Sequence, residues 1–277
     1  VDAAMTSQDE AELDELLGVI FERYHYDFRA YARASLRRRV TAALGRIGAS
    51  SVKELTTRIT SDGRAFGELL PWFTVQLSDL FRDPAYFAHF REHIVPVLST
   101  YPSRKLWVAG CSTGEEAYSF AIILREERLL ERTLIYATDI YAQSLRTAEA
   151  GVYDLDRMRT FSENHRKSGG KTSLSEHYST TPHGAMFDKS LREHIVFADH
   201  SLATDAVFAE VHVVSCRNVL IYFAASLQNR ALGLFNDALV RHGWLGLGPK
   251  ETLEFSPERH HFVPHPHRWY EKREAGR

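Results

Sequence analysis

The chain has 277 residues, 44% hydrophobic and 25% charged, a composition ordinary for a soluble globular protein with core enough to need no disulfide or metal staple. Lys and Arg total 34 against 36 Asp and Glu, which argues against a polyelectrolyte binder of nucleic acid or anionic membranes. No apolar run approaches the roughly 18 residues that span a bilayer, and the acidic opening VDAAMTSQDEAELDEL does not read as a signal peptide, so a cytoplasmic protein without membrane insertion is expected.

Charge is segregated along the chain. Residues 1 to 17 carry six acids and no base, whereas residues 22 to 46 carry seven arginines against Glu22 and Asp27. Leu13, Leu16, Leu17, Ile20 and Tyr24 recur at helical spacing and form one stripe of an amphipathic helix. In the next helix Leu36, Val40, Ala43 and Ile47 make the buried stripe, while Arg29, Arg33 and Arg37 share another face. That face reads either as a solvated surface offset by neighbouring acids or as a dock for an acidic partner. Ser51 and Glu54 form a capping box for a third helix through Leu55 and Ile59, ended by Asp62-Gly63. A fourth runs through Phe66, Leu69 and Leu70. Residues 1–75 are therefore expected to be an all-helical domain.

Residues 76–90 change character and read as a linker. Within it Asp83-Pro84 predicts an N-cap and first-turn proline for a helix burying Phe87, Phe90, Ile94 and Val97. From Lys105 onward strands and helices alternate. Leu106 to Ala109 is a buried strand, Glu115 to about Leu130 a helix, Thr133 to Ala137 a strand, and Tyr141 to Ala150 a helix closed by Gly151. His194 to Ala198 and Val211 to Cys216 follow as strands, Ser226 to Arg241 as a helix closed by Gly243, and Trp244 to Leu247 as a strand. The alternation predicts an α/β domain over 91–277, a doubly wound sheet with helices on both faces. A polar interval at about 153–192 interrupts it and reads as an inserted antiparallel β-subdomain or a long ordered loop.

The first strand runs into Gly110-Cys111-Ser112-Thr113-Gly114-Glu115-Glu116, and the second ends in Asp139. A glycine turn after strand one with an acid at the tip of strand two is the nucleotide-binding half of a Rossmann-like sheet, the acid accepting ribose hydroxyls. A dinucleotide would set its pyrophosphate at the helix N-terminus, where Glu115 and Glu116 would repel it. The acids suit instead a cationic, phosphate-free cofactor such as S-adenosylmethionine, although two glutamates also favour a first helical turn through the dipole alone. Gly110 to Gly114 further satisfies the G-x-S-x-G nucleophile elbow, with Ser112 as the nucleophile of a serine hydrolase. Only helices precede this strand, however, and Asp139 would have no role. Arg217, Asn218 and Tyr222 lie where the strand across the switch point delivers its loop, as pocket residues or as a buried structural Arg-Asn pair.

Cys111 and Cys216 read as small buried residues, since a reducing compartment makes their pairing improbable. His260, His261, His265 and His267 lie in a proline-broken segment without a carboxylate or thiol at ligand spacing, so no metal is expected. Trp244 and Trp269 read as core or hairpin residues.

Five stretches taken together resemble the CheR family of chemoreceptor glutamate O-methyltransferases: Gln76 to Pro84 (QLSDLFRDP), Leu106 to Ser119 (LWVAGCSTGEEAYS), Ile135 to Ile140 (IYATDI), Ile195 to Leu202 (IVFADHSL) and Cys216 to Phe223 (CRNVLIYF). The resemblance implies an all-helical N-terminal domain joined to a class I, Rossmann-like methyltransferase domain with a small β-subdomain inserted. It places Gln76, Ser78 and Arg82 over the methionine end of S-adenosylmethionine, Gly110, Glu115 and Glu116 in the glycine loop, and Asp139 on the ribose. Ser201 and Leu202 fall near the adenine, Arg217 and Asn218 close the site, and Tyr222 orients the substrate. Gln76 and Ser78 stand where members often have Asn and Thr, and Gly248-Pro249-Lys250-Glu251 where many read Gly-His-Ser-Glu, which leaves the role of Lys250 open.

The resemblance also implies methyl transfer to glutamates of chemoreceptor cytoplasmic helices by a monomer, giving S-adenosylhomocysteine. Arg217 and Tyr222 would hold the carboxylate and Arg82 would help close the linker. Arg29, Arg33, Arg37 and Arg38 would dock the acidic receptor helix. The alternatives are a non-catalytic S-adenosylmethionine-binding adaptor of the same fold and the hydrolase using Ser112.

Overall fold

The structure, a computed structural model, describes residues 7–74 and 78–273 and divides into two compact units. The first holds four helices, α1 (Ser7–Tyr24), α2 (Arg33–Ile47), α3 (Val52–Ser61) and α4 (Gly63–Phe73). Leu13, Leu16, Leu17 and Ile20 are buried, as are Leu36, Val40 and Ala43 of α2 and Leu55 and Ile59 of α3. Ser51 caps α3 by accepting the Glu54 amide at 3.1 Å. The reciprocal arm falls one residue earlier than expected, because the Glu54 carboxylate accepts from the amide and hydroxyl of Ser50 at 2.7 and 2.6 Å.

The helical unit also takes in Ile221–Gln228 from late in the chain. Tyr31 forms an antiparallel bridge with Phe223, the Ala32 amide donates to the Tyr222 carbonyl at 2.8 Å, and the Ala224 amide donates to the Ala30 carbonyl at 2.9 Å.

In the second unit a helix, α5 (Pro84–His89), runs through a π-helical turn (Phe90–Ile94) into α6 (Val95–Ser99). Phe87, Phe90 and Ile94 are buried as expected. The wider turn shifts the stripe by one residue, so Val95 and Leu98 follow them into the core while Val97 is half-buried. There follow β1 (Arg104–Ala109), α7 (Glu115–Glu126), β2 (Thr133–Asp139), α8 (Ala142–Ala150), β3 (Val152–Tyr153), α9 (Met158–Lys167), β4 (Tyr178–Thr181), β5 (Gly184–Phe187) and α10 (Lys189–Arg192). The chain continues through β6 (Ile195–Asp199), β7 (Val211–Cys216), α11 (Ala225–Ala238), β8 (Leu239–Leu247), β9 (Phe262–Pro264) and β10 (Trp269–Lys272).

The main sheet has the order β6-β2-β1-β7-β8-β10-β9. Pairing is parallel from β6 to β8, whereas β10 runs antiparallel to both its neighbours. The chain leaves β1 outward through β2 and β6 and returns on the other side as β7, so the carboxyl ends of β1 and β7 flank a topological switch point. A second, antiparallel sheet, β3-β5-β4, is the inserted subdomain. It is fastened to α7 by a buried carboxylate. Oε1 of Glu126 accepts from the amides of Lys171 and Thr172, both at 3.1 Å, and its Oε2 accepts from Arg91 at 2.6 Å.

The last helix stops earlier than the periodicity predicts, at Ala238 rather than Arg241, and β8 begins five residues before Trp244. Its cap comes from a distant strand, because Nζ of Lys272 on β10 donates to the Asn236 and Leu239 carbonyls at 2.6 and 2.7 Å. Gly246 on β8 pairs with Trp269, and a Cβ there would run into the Tyr86 hydroxyl and the Trp269 ring. Trp269 in turn stacks on Tyr86 at 4.4 Å. Gly246→Ala is therefore expected to cost about 1–3 kcal/mol by overpacking. Gly67→Ala in α4, where nothing lies within 4 Å, should gain up to about 1 kcal/mol from helix propensity. Urea unfolding midpoints of the two variants check both, and an unchanged midpoint for Gly246→Ala would contradict the close packing.

Candidate active site

The site is assembled from loops at the carboxyl ends of β1, β2 and β7. Gly110, just past β1, takes φ +75°, and its amide and that of Cys111 both donate to the Thr138 carbonyl on β2, at 2.8 and 2.9 Å. A side chain at Gly110 would collide with Val219, so glycine there lets the β1 and β7 loops touch. Asp139 ends β2 with one carboxylate oxygen accepting from the Ser112 amide at 2.8 Å and the other from the Tyr141 amide at 3.0 Å. Burial pushes this carboxyl up and those amides oppose the shift. Lone pairs remain on both oxygens for hydroxyl donors. Ser112 has the positive φ of an elbow serine, 50°, but Asp139, which the hydrolase reading left idle, shapes its turn.

Glu115 is fully buried. Its carboxylate accepts from the Thr113 hydroxyl at 2.7 Å and from Arg157 of the insertion at 2.9 Å, while burial pushes its pKa up against those partners. Glu116 accepts from the Ser215 hydroxyl at 2.6 Å and from Arg217 at 3.1 Å. The two acids are thus each answered by an arginine, and selection for a cationic ligand does not rest on their net charge.

Arg217 is the hub of the β7 side. Its side chain is 1% exposed. Beyond Glu116 it donates to Asp83 at 2.6 Å and to the Arg82 carbonyl at 2.9 Å, and its guanidinium lies 4.1 Å from the Tyr86 ring. Asp83 stands at the N-cap position with Pro84 in the first turn, as expected, but at φ 59° its side chain makes no capping bond and its carboxylate goes to Arg217 instead. Both terminal nitrogens of Arg217 are engaged by protein acceptors, and its Nε is buried. The Tyr86 hydroxyl closes the network on Ser215 at 2.6 Å.

Asn218, next in the loop, takes φ 61°. Its amide and that of Val219 donate to the two carboxylate oxygens of Glu251 at 3.0 and 2.9 Å, and the Gly248 amide adds a third bond at 2.6 Å. Glu251 is 4% exposed, whereas Lys250 beside it is exposed. On the linker, the Ser78 carbonyl accepts from Arg157, which also reaches Asp79 at 3.2 Å. Gln76 lies outside the described residues. Past β6, the Ser201 amide is held by Asp205 at 2.9 Å and Leu202 is buried.

Tyr222 belongs to the helical unit, where the Arg39 guanidinium lies 4.2 Å from its ring. The arginine face also differs from the expectation. Because α2 begins at Arg33, Arg29 lies before it and chelates Asp27 at 2.9 Å. Arg33 and Arg37 pair with Glu10 of α1, and Arg33 also with Asp14, as the solvated-surface reading has it. Arg38 is exposed.

Arg157, Glu251, Tyr86, Ser215 and Asp83 are the structural partners that sequence reasoning missed. Glu251 was in view inside the Gly-Pro-Lys-Glu stretch, but its partners are backbone amides, which leave no signature in side-chain identity.

Comparison with known proteins matches residues 11–74 to the family model described as CheR methyltransferase, all-alpha domain, and residues 76–269 to the CheR methyltransferase, SAM binding domain. A Pseudomonas putida protein named "Putative methyltransferase Cher3" is 49% identical over 94% of this chain and 96% of its own length. A "Chemotaxis protein methyltransferase" of Listeria innocua is 28% identical over 82% of this chain and 84% of its own. "Chemotaxis protein methyltransferase 1" of Pseudomonas aeruginosa is 28% identical over 78% and 81%.

Glu251→Ala should strand three backbone donors and lower stability by about 2–4 kcal/mol, whereas Lys250→Ala should change it by less than about 0.5 kcal/mol. Equal urea midpoints for the two variants would remove Glu251 from its place as the anchor of the β7 loop.

Proposed function

Because the chain belongs to the CheR methyltransferase family, we propose that it methylates glutamate side chains on the cytoplasmic helices of chemoreceptors, using S-adenosylmethionine and acting in the cytoplasm. The observation that carries this reading is the joint match of an all-alpha CheR domain and a SAM-binding domain on one chain, since the catalytic fold alone hosts many acceptors. S-adenosylmethionine supplies, when bound, a methyl group on a cationic sulfur. The residues present fit it. Asp139 offers a backbone-oriented carboxylate to vicinal hydroxyls, and the first turn of α7, where a phosphate would sit, is filled by the Glu115 carboxylate folded onto Thr113.

A glutamate carboxylate, with a pKa of about 4.3, is already ionised at neutral pH. Such an oxygen could accept the methyl group that the bound cofactor would supply without a proton first being removed. The chain therefore needs no general base. Its task is to align the reactants and exclude water, worth on the order of 7–11 kcal/mol in favourable cases. In this reading Asp139, Ser201 and Leu202 hold the adenosine end, while Gln76, Ser78 and Arg82 close over the methionine end. Arg217 positions Glu116 and the Arg82–Asp83 backbone, and Tyr222 orients the acceptor carboxylate. In this reading exposed Arg38 helps to meet an acidic receptor helix.

Radiolabelled S-adenosylmethionine and a receptor cytoplasmic fragment should yield label that mild base releases as methanol. Binding of S-adenosylhomocysteine without any labelling of glutamate-bearing fragments would leave only the adaptor reading. Tyr222→Phe should lower kcat at least tenfold with cofactor affinity unchanged. Arg38→Glu should raise KM for the receptor fragment severalfold, with a weaker salt dependence than the parent. Loss of cofactor affinity in the Arg38 variant would point to misfolding, and an unaltered KM would remove Arg38 from the docking surface.

A further inference from the structure

Arg157 lies in the short 3-10 turn Leu155–Arg157 between β3 and α9, inside the insertion, yet its guanidinium spans two segments outside it. Nη1 donates to Oε1 of Glu115 at 2.9 Å. Nη2 donates to the Ser78 carbonyl and, at 3.2 Å, to Asp79. The guanidinium carbon lies 4.6 Å from the centre of the Phe161 ring, which is fully buried. Because the fork of a guanidinium fixes the angle between its donors, this one side chain sets where the linker lies relative to the first turn of α7.

Further bonds from the insertion follow the same two paths. Along the linker, Asn164 of α9 donates to the Leu80 carbonyl at 3.2 Å, while the Phe81 amide donates to the Ser119 hydroxyl of α7 at 2.8 Å. At the glycine loop, the Tyr153 hydroxyl of β3 donates to the Thr113 carbonyl at 2.6 Å, and a side chain at Gly114 would meet that hydroxyl and Ala148. At the far end of α7, Glu126, His165 and His177 come close enough to share a metal ion. Oε1 of Glu126 is filled, however, by the amides of Lys171 and Thr172 and the Thr172 hydroxyl, which makes that cluster an anchor. The insertion therefore holds α7 at its last residue as well as its first.

We propose that Arg157 is a positioning residue for the cofactor site: through Glu115 and Ser78 it holds the linker against the start of α7, and so lets the inserted subdomain set the affinity for S-adenosylmethionine. The inference rests on the functional reading above, in which Ser78 meets the methionine end of that cofactor. Glu115 gives the contact an electrostatic part. Its second oxygen accepts from the Thr113 hydroxyl, and burial pushes its pKa up while Thr113 and Arg157 oppose the shift. Without Arg157 a fully buried carboxylate beside the glycine loop loses its counter-charge, and the linker loses its hold on α7 at the same stroke.

Calorimetry with S-adenosylhomocysteine on the full chain tests the assignment. Arg157→Met should weaken binding at least tenfold. Arg157→Lys, which keeps a charge opposite Glu115 but cannot bridge two segments, should recover part of that loss. Glu115→Gln should weaken binding less in the Arg157→Met background than in the parent, because the two residues act as a pair. Arg159→Ala, at a neighbouring side chain that is 89% exposed, should bind as the parent does. A purely structural role would lower the Tm and leave the two losses of affinity additive. Parent-like affinity in Arg157→Met, or additive losses, overturns the inference; should that variant fail to fold, parent-like affinity in Arg157→Lys overturns it. A parent chain with no affinity for S-adenosylhomocysteine overturns the functional reading and the inference together, which separates that failure from the failure of the inference alone.

Discussion

A single buried guanidinium organises the catalytic end of the sheet. Arg217 ties together three segments far apart in sequence: the segment just before α5 through Asp83 and the Arg82 carbonyl, the start of α7 through Glu116, and β7 itself. Taking such a charge out of water costs several kcal/mol, and its two carboxylate partners and the face of Tyr86 offset that cost only in a defined geometry. A buried ionic hub of this kind is weak evidence for extra stability. Its effect is to fix positions, because removing the guanidinium would leave the Glu116 and Asp83 carboxylates without their counter-charge.

The same principle recurs with the sign reversed at two other carboxylates. Asp139 and Glu251 each use both oxygens to gather backbone amides from loops that would otherwise be free to move. Strand tips alone would leave those loops floppy. With the acids in place, the crevice at the switch point is held before any ligand arrives, which lowers the ordering cost of binding. Arg157 extends the arrangement to the inserted subdomain, since it bridges Glu115 and the linker residues Ser78 and Asp79. The subdomain thereby contributes a residue to the start of α7 as well as a surface of its own.

Much of this architecture is legible in the sequence because it rests on periodicity. The stripes of α1, α2 and α3, the alternation from β1 to β7 and the glycine turn before Glu115 all follow from spacing, and the buried residues agree. The misreadings share one cause, which is that a distant group decided a local question. Lys272 ends α11 before its apolar pattern runs out. Arg217 takes the carboxylate that Asp83 would have spent on capping. The sequence left two readings open for the arginines of α2, and only the fold shows which acids, Glu10 and Asp14 of α1, answer Arg33 and Arg37.

The return of Ile221–Gln228 to the helical unit bears on the order in which the protein can mature on the ribosome. Four helices emerge first, but the residues that bridge Tyr31 and cover Arg39 are made roughly 150 residues later, on the order of ten to thirty seconds at usual rates of synthesis. Through that interval the helices lack part of their own packing, and the unit closes only after β7 has been synthesised. Its stability is therefore a property of the whole chain, and the helical residues cut out on their own would be a fragment with an open seam.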